Sequence, residues 1–373
     1  MKSRFVLAIL ASVAVLLLVI VNVVPKRAGG SRGAPKVNGN VSTPSNGAAQ
    51  SSGGDLLGKP GKLETVKERR ERMMSNKAYR DDFKLSEQEI YLYVQAKGSN
   101  ALSLVAAFES TRDKDYLKSA AEKFPSDPFV QAKALMWLDM SDEERAKMIE
   151  DFKKSAPTNA FANFLAAQMA LKRGDTKGAM AELAAAKEKG YDEYDRESAQ
   201  GLEDAYLFAG RPEAEAKTLG MAEITLPQLA QFKEMGRKFV DMAEKAAASG
   251  DTKRQQELLM VNWAIGQKLR ESTGLTPVIT ELVGIAMQNI TLGKWPADAP
   301  IMDRTKDDVL AGNTAARKEL QSLVPAFDKW FPTAPDEEII NYMETLKTSG
   351  ERQAFAWLKE KHPELALIGP PNN

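Results

Sequence analysis

The chain has 373 residues, with 51 Lys and Arg matched by 51 Asp and Glu, one His and no Cys; 43% of residues are hydrophobic and 27% charged. That balance excludes global disorder. The missing cysteine excludes disulfides, thiol chemistry, Cys-ligated zinc or iron–sulfur centres and a lipidated cysteine, and a single His leaves no His-rich metal site.

Lys2 and Arg4 precede an apolar run from Phe5 to Val24, interrupted only by Ser12 and Asn22. As a helix it would span about 30 Å, one hydrocarbon core. A cleaved secretory signal and an uncleaved signal anchor both begin this way. The length of the run and the poor cleavage site around Val24-Pro25 favour the anchor. Basic residues on both flanks leave orientation unsettled by charge. The short N-terminal tail and long C-terminal body favour a body outside the cytoplasmic membrane, periplasmic or extracellular.

Residues 25–61 are rich in Gly, Ser, Asn, Pro and Ala and cannot build a core, so they read as a flexible tether. Seven bases and one acid (Asp55) fall in residues 1–61, which leaves 62–373 with 44 bases and 50 acids, a net charge of −6. The basic end suits anionic headgroups. The acidic body argues against nucleic acid as a partner.

From residue 62 apolar positions recur at intervals of three and four, and no strand pattern is present. Helices are predicted at 63–79, 86–97, 101–110, 114–123, 128–139, 142–154, 160–173, 176–188, 195–208, 212–222, 227–248, 252–271, 277–292, 304–330, 336–348 and 351–361. Ser86 with Glu89 and Ser141 with Glu144 form capping boxes, and Leu85 with Ile90 forms a hydrophobic staple. Asp127-Pro128 and Thr276-Pro277 place a cap before a first-turn proline. Gly174, Gly190, Gly210, Gly250 and Gly350 fall at predicted helix ends.

The helices pair at similar spacing. Pro125-Ser126-Asp127-Pro128-Phe129 and Pro157-Thr158-Asn159-Ala160-Phe161 open equivalent helices, and 160–190 runs helix, Gly174-Asp175, helix, Gly190. With Ala167 at the close-packing place and Ala179, Leu183 and Ala186 along the second helix, this segment resembles a tetratricopeptide repeat. Asn163, Ala170 and Tyr191 depart from the family pattern, as do Glu203 and Glu215 in the segment around Gly210. The resemblance spans about 127–222, with a weaker continuation over 236–270 carrying Met242, Ala243, Ala246, Val261 and Ala264. It implies an all-α, TPR-like solenoid of helical hairpins; a generic helical-hairpin bundle shares the same small-residue turns. The body divides into an N-terminal helical segment, 62–126, the repeats, 127–292, and a C-terminal capping subdomain, 293–373, which carries Phe327, Trp330, Phe331, Phe355 and Trp357.

By the same resemblance, Phe164, Gln168 and Lys172 in one repeat and Gln200 and Asp204 in the next would line a concave groove that binds a protein or peptide partner.

Other chemistry is weakly signalled. His362 ends the last helix, where a cation suits the helix dipole, and lacks an obvious partner in sequence. Asp303, Asp307 and Asp308 complement a helix start. Asn40-Val41-Ser42 and Asn289-Ile290-Thr291 match the glycosylation pattern. No phosphate-cradling loop, dinucleotide fingerprint or serine elbow is present. The pairs Glu109-Ser110, Glu197-Ser198 and Glu271-Ser272 resemble lytic transglycosylases, without the glycine-rich segment that should follow. The sequence thus predicts a membrane-tethered helical-repeat adaptor with no catalytic residue, cofactor or metal. The alternative is a cell-wall-active or glycan-binding helical protein using two carboxylates.

Overall fold

The computed structural model describes residues 64–74, 81–272, 275, 277–296 and 299–367. The apolar run 5–24, the tether 25–61 and Thr276 lie outside the described residues. Among the described residues no helix is long and apolar enough to cross a membrane. The chain forms two units, divided after Lys77.

In the first unit, α1 (Val66–Met73) begins later than the sequence predicts, because Thr65 caps it. The Glu68 N–H donates to Thr65 Oγ1 at 3.2 Å, and the Thr65 N–H donates back to the Glu68 carboxylate at 2.9 Å. This third capping box was present in the sequence as Thr65-x-x-Glu68.

The second unit is all-α, with no strand among the described residues. The helices are α2 (Glu87–Ala96), α3 (Ala101–Thr111), α4 (Lys114–Lys123), α5 (Pro128–Trp137), α6 (Asp142–Ser155), α7 (Phe161–Lys172), α8 (Thr176–Ala185), α9 (Asp195–Phe208), α10 (Glu213–Ala222), α11 (Pro227–Ala248), α12 (Thr252–Arg270), α13 (Val278–Lys294), α14 (Lys306–Trp330), α15 (Asp336–Ser349) and α16 (Glu351–Lys361). Both expected capping boxes form, and Asp127 caps α5 ahead of Pro128. The staple residues Leu85 and Ile90 are both buried. Gly190 does not end a helix. Helix α8 stops at Ala185, and the Gly190 carbonyl instead accepts from the Ala160 N–H at 2.7 Å, tying the exit of one hairpin to its entry.

Helices α2 to α8 each pack on the next. Helix α7 then packs on α11 and α8 on α12, so two hairpins stack side by side. Their turns have the same sequence, Gly174-Asp175-Thr176-Lys177 and Gly250-Asp251-Thr252-Lys253. They also have the same geometry. Each glycine sits at φ 79°, each aspartate N–H donates at 2.9 Å to a carbonyl five residues back, and each carboxylate caps the following helix. Only glycine adopts that left-handed φ without strain.

The hairpin lying between them in sequence, α9–α10, goes elsewhere. Helix α9 packs on α2 and α3, and both α9 and α10 pack on α15. The C-terminal helices therefore divide their contacts: α14 lies on α13, while α15 covers α9–α10. Phe327, Trp330, Phe331, Tyr342 and Phe355 form the aromatic core of this end, with ring centroids 5.2–6.5 Å apart. Helices α12 and α13 touch backbone to backbone. A Cβ on Gly266 would lie 2.7 Å from the Gly284 carbonyl oxygen, and one on Gly284 would lie 2.5 Å from that of Gly266.

Candidate functional site

Of the five groove residues the sequence proposes, Phe164 is not at a surface. It is 2% exposed and packs against Tyr191 and Phe232 at 5.5 and 5.4 Å between ring centroids. Phe232 belongs to α11, the helix laid over α7, so the stacking that makes the array removes this ring from any partner's reach. Gln168 is half-buried and Lys172 exposed. Gln200 and Asp204 serve contacts within the chain. The Lys347 ammonium donates to Gln200 Oε1 at 2.9 Å, the Gln200 amide donates to Asp204 at 3.0 Å, and Lys97 lies 3.8 Å from Asp204. Neighbouring Glu203, where the repeat pattern wants a small residue, is a buried hub instead. It accepts from Lys217 of α10 at 2.6 Å and from Lys347 of α15 at 2.8 Å. The charge that breaks the repeat pattern is what holds α15 onto α9–α10.

A second polar cluster joins α3, α5 and α9. Lys133 of α5 lies 3.3 Å from Glu109 of α3 and 3.2 Å from Asp195 in the first turn of α9. The Ser198 hydroxyl donates to Glu109 at 2.9 Å, so two of the three Glu-Ser pairs meet across the fold, though not as adjacent residues. Tyr191 donates to Glu193 at the edge of this cluster. Burial opposes the charge on Lys133, but Glu109 and Asp195 outweigh it and hold the ammonium above its usual range. Burial likewise lifts the Asp195 carboxyl to about 6, against the pull of Lys133, and holds Glu193 well above the ordinary carboxylate range. Glu109 is 5% exposed and Asp195 3%. The adjoining space, beside Lys133, Trp137, Glu193 and Gln228, amounts to ≈ 10 Å³, room for about one water.

The cluster grades into a further acid at the end of α10. Burial pushes Glu223 up to about 7; Tyr206 donates to one of its oxygens, and the other is buried with no hydrogen-bond partner.

The outer edge of α2 and α9 is different. The two helices run antiparallel, with Glu89 3.4 Å from Arg211 at one end and Lys97 near Asp204 at the other. Between these ion pairs Phe208 lies against Tyr93, 5.8 Å between centroids, and is 45% exposed. Tyr91, Leu92 and Leu207 are exposed on the same two helices. Leu92 falls three residues after Glu89, on the stripe bordering α9. Sequence reasoning missed this edge. The signal was the apolar pair Leu207-Phe208 beside the Gly210 turn, where solvent-facing positions normally take polar residues.

Remaining sequence candidates resolve simply. His362 does have partners, with Nε2 2.8 Å from Glu338 and Nδ1 3.3 Å from Glu364. Thr305 caps α14 and receives the Asp308 N–H at 3.1 Å, so these acids serve the helix start. Asn289 sits inside α13 and accepts from the Asn313 amide at 3.0 Å. No group of three or more His, Asp or Glu residues that could hold a metal ion is found among the described residues. Compared with protein-family models, curated proteins and solved structures, the chain matches none of them.

Proposed function

We propose that this chain is a membrane-tethered helical-repeat adaptor. In this reading residues 5–24 anchor it, residues 25–61 space it from the bilayer, and the TPR-like helical body engages a protein partner outside the cytoplasmic membrane. The observation that carries the reading is the exposed apolar edge of α2 and α9. Leu92, Leu207 and Phe208 offer apolar area, bounded at both ends by ion pairs, the arrangement of an apolar centre with a polar rim. Two antiparallel helices leave a shallow groove between them, which suits an amphipathic helix of the partner. Partner recognition thus sits on the first helix of the α9–α10 hairpin, at an edge rather than in the expected concave groove.

The alternative, a carboxylate-based glycan-cleaving protein, finds its best acids in Glu109 and Asp195. Both share one ammonium in a closed interior with room for about one water, which disfavours a sugar chain between them. The test is capture of cross-linked partners from membranes by the full-length chain and by its Leu92→Asp variant. Leu92 is 49% exposed, so the melting temperature should stay within a change of about 0.5 kcal/mol in stability. Recovery of the partner should fall about tenfold. Equal recovery by both forms would remove the edge from consideration.

A further inference from the structure

A cavity of ≈ 300 Å³ opens where α12, α13 and the start of α14 meet, with Trp263, Gln267, Arg270, Glu281, Arg304 and Asn313 on its wall. That volume suits a small molecule. Its acids are already matched. Arg352 grips the Glu281 carboxylate through two donors at 2.6 and 2.7 Å, and Glu271 accepts from Gln267.

Its donors are only partly matched. Arg270 gives Nη1 to Gln288 at 2.6 Å and Asn313 at 2.9 Å, while its Nε stands 4.0 Å from Glu281. The Arg304 guanidinium donates to the Asp308 carbonyl at 3.4 Å. Trp263 is 8% exposed, and its indole N–H is buried with no hydrogen-bond partner. A buried donor without an acceptor costs about 1–3 kcal/mol. Two incompletely paired guanidinium groups and a buried indole N–H without a partner favour a guest rich in acceptors.

The site is built rather than incidental. The stem of Arg270 runs through space that a side chain at position 284 would fill, since a Cβ on Gly284 would lie 2.8 Å from Arg270 Cγ. Asn313, which holds the Arg270 guanidinium, is itself held by Asn289. Arg304 is presented by a tight turn in which Ile301 and Arg304 exchange backbone hydrogen bonds at 2.9 and 3.1 Å. The two residues between them, Met302 and Asp303, stand at φ 46° and 66°, a strained conformation for side-chain-bearing residues.

We propose that this cavity binds a small organic anion, carboxylate- or phosphate-bearing, through Arg270, Arg304 and the Trp263 indole. It is a binding site additional to the α2–α9 edge and does not depend on the adaptor reading. The test is calorimetric titration of the purified full-length chain with citrate, with inorganic phosphate and with glucose as the neutral control. At least one anion should bind saturably and glucose should not; the anion that binds tells a carboxylate guest from a phosphate one. Arg304→Ala should weaken that binding at least about tenfold, with an unchanged thermal unfolding profile because Arg304 is exposed. Trp263→Phe keeps the ring and removes only the N–H, and it should weaken binding severalfold. Failure of both anions to bind overturns the proposal, as does binding of glucose alone, or anion binding that survives both substitutions.

Discussion

The interior around Lys133 and the cavity beside Arg270 use the same chemical vocabulary and reach opposite ends. Around Lys133 one cation faces two carboxylates at 3.2–3.3 Å, with further buried acids alongside and almost no free volume. The surplus there is in acceptors, and burial raises the Glu193 and Glu223 carboxyls, favouring their neutral forms. Beside Arg270 the carboxylates are consumed by Arg352 and Gln267, the surplus is in donors, and ≈ 300 Å³ stays open. An acceptor surplus can be filled by solvent protons and needs no guest. A donor surplus on guanidinium and indole cannot be relieved that way, because neither group gives up its proton at ordinary pH. The first interior is therefore a structural joint with a pH response, and the second suits a ligand.

The comparison breaks most visibly at Lys133. Replacing it with Ala strands Glu109 and Asp195 in a closed interior, and urea unfolding at pH 7.5 should show a loss of about 3–5 kcal/mol. Part of that loss should return at pH 5.5, where Asp195 takes up a proton. A loss below about 1 kcal/mol would mean that water reaches the cluster.

A smaller effect comes from proton uptake itself. Burial raises Glu223 to about 7 in the folded chain from an ordinary value of 4.5. Between those values the folded state holds a proton that the unfolded state has released, so stability falls as pH rises through 7. The urea midpoint should drop between pH 5 and pH 8 by the equivalent of about 2–3 kcal/mol, and level off above that. Glu223→Gln should flatten part of that slope, and an equally steep slope in the variant would place the responsible group elsewhere.

The smallest effect belongs to the open cavity. Arg304→Ala should change stability by less than about 0.5 kcal/mol, since Arg304 is exposed and bonds only weakly to a backbone carbonyl. A larger loss would make the cavity a structural joint as well, and the contrast with Lys133 would collapse.

The helices were legible because their ends are written locally. Ser86, Asp127, Ser141, Gly174 and Gly250 specify starts and stops from a few neighbouring residues, and the structure places ends within a few residues of each. Which hairpin lies on which is a long-range matter, and the glycine turns at 174, 210 and 250 do not by themselves announce it. A finer local signal was available: Gly-Asp-Thr-Lys recurs at 174 and 250 but not at 210, and the two hairpins sharing it are the ones that stack. Phe164 was placed on the correct helix but assigned to a surface, since nothing near it in sequence announces that Phe232 will cover it. The Lys133 cluster joins residues from 109 to 198, and the Arg270 cavity joins residues from 263 to 313, each assembled by tertiary packing. For the cavity the sequence offered only two helix-interior glycines, Gly266 and Gly284, whose meaning depends on their facing one another.

The link from Lys347 to Glu203 ties residues 144 positions apart. During synthesis that separation is a delay. At about 5–20 residues per second, roughly 7–30 s pass between the emergence of α9 and that of α15. Through that interval Glu203 has Lys217 but not Lys347, and the faces of α9 and α10 that α15 will cover stand open. A nascent chain in this state presents an uncovered apolar surface. That surface is covered only when α15 arrives.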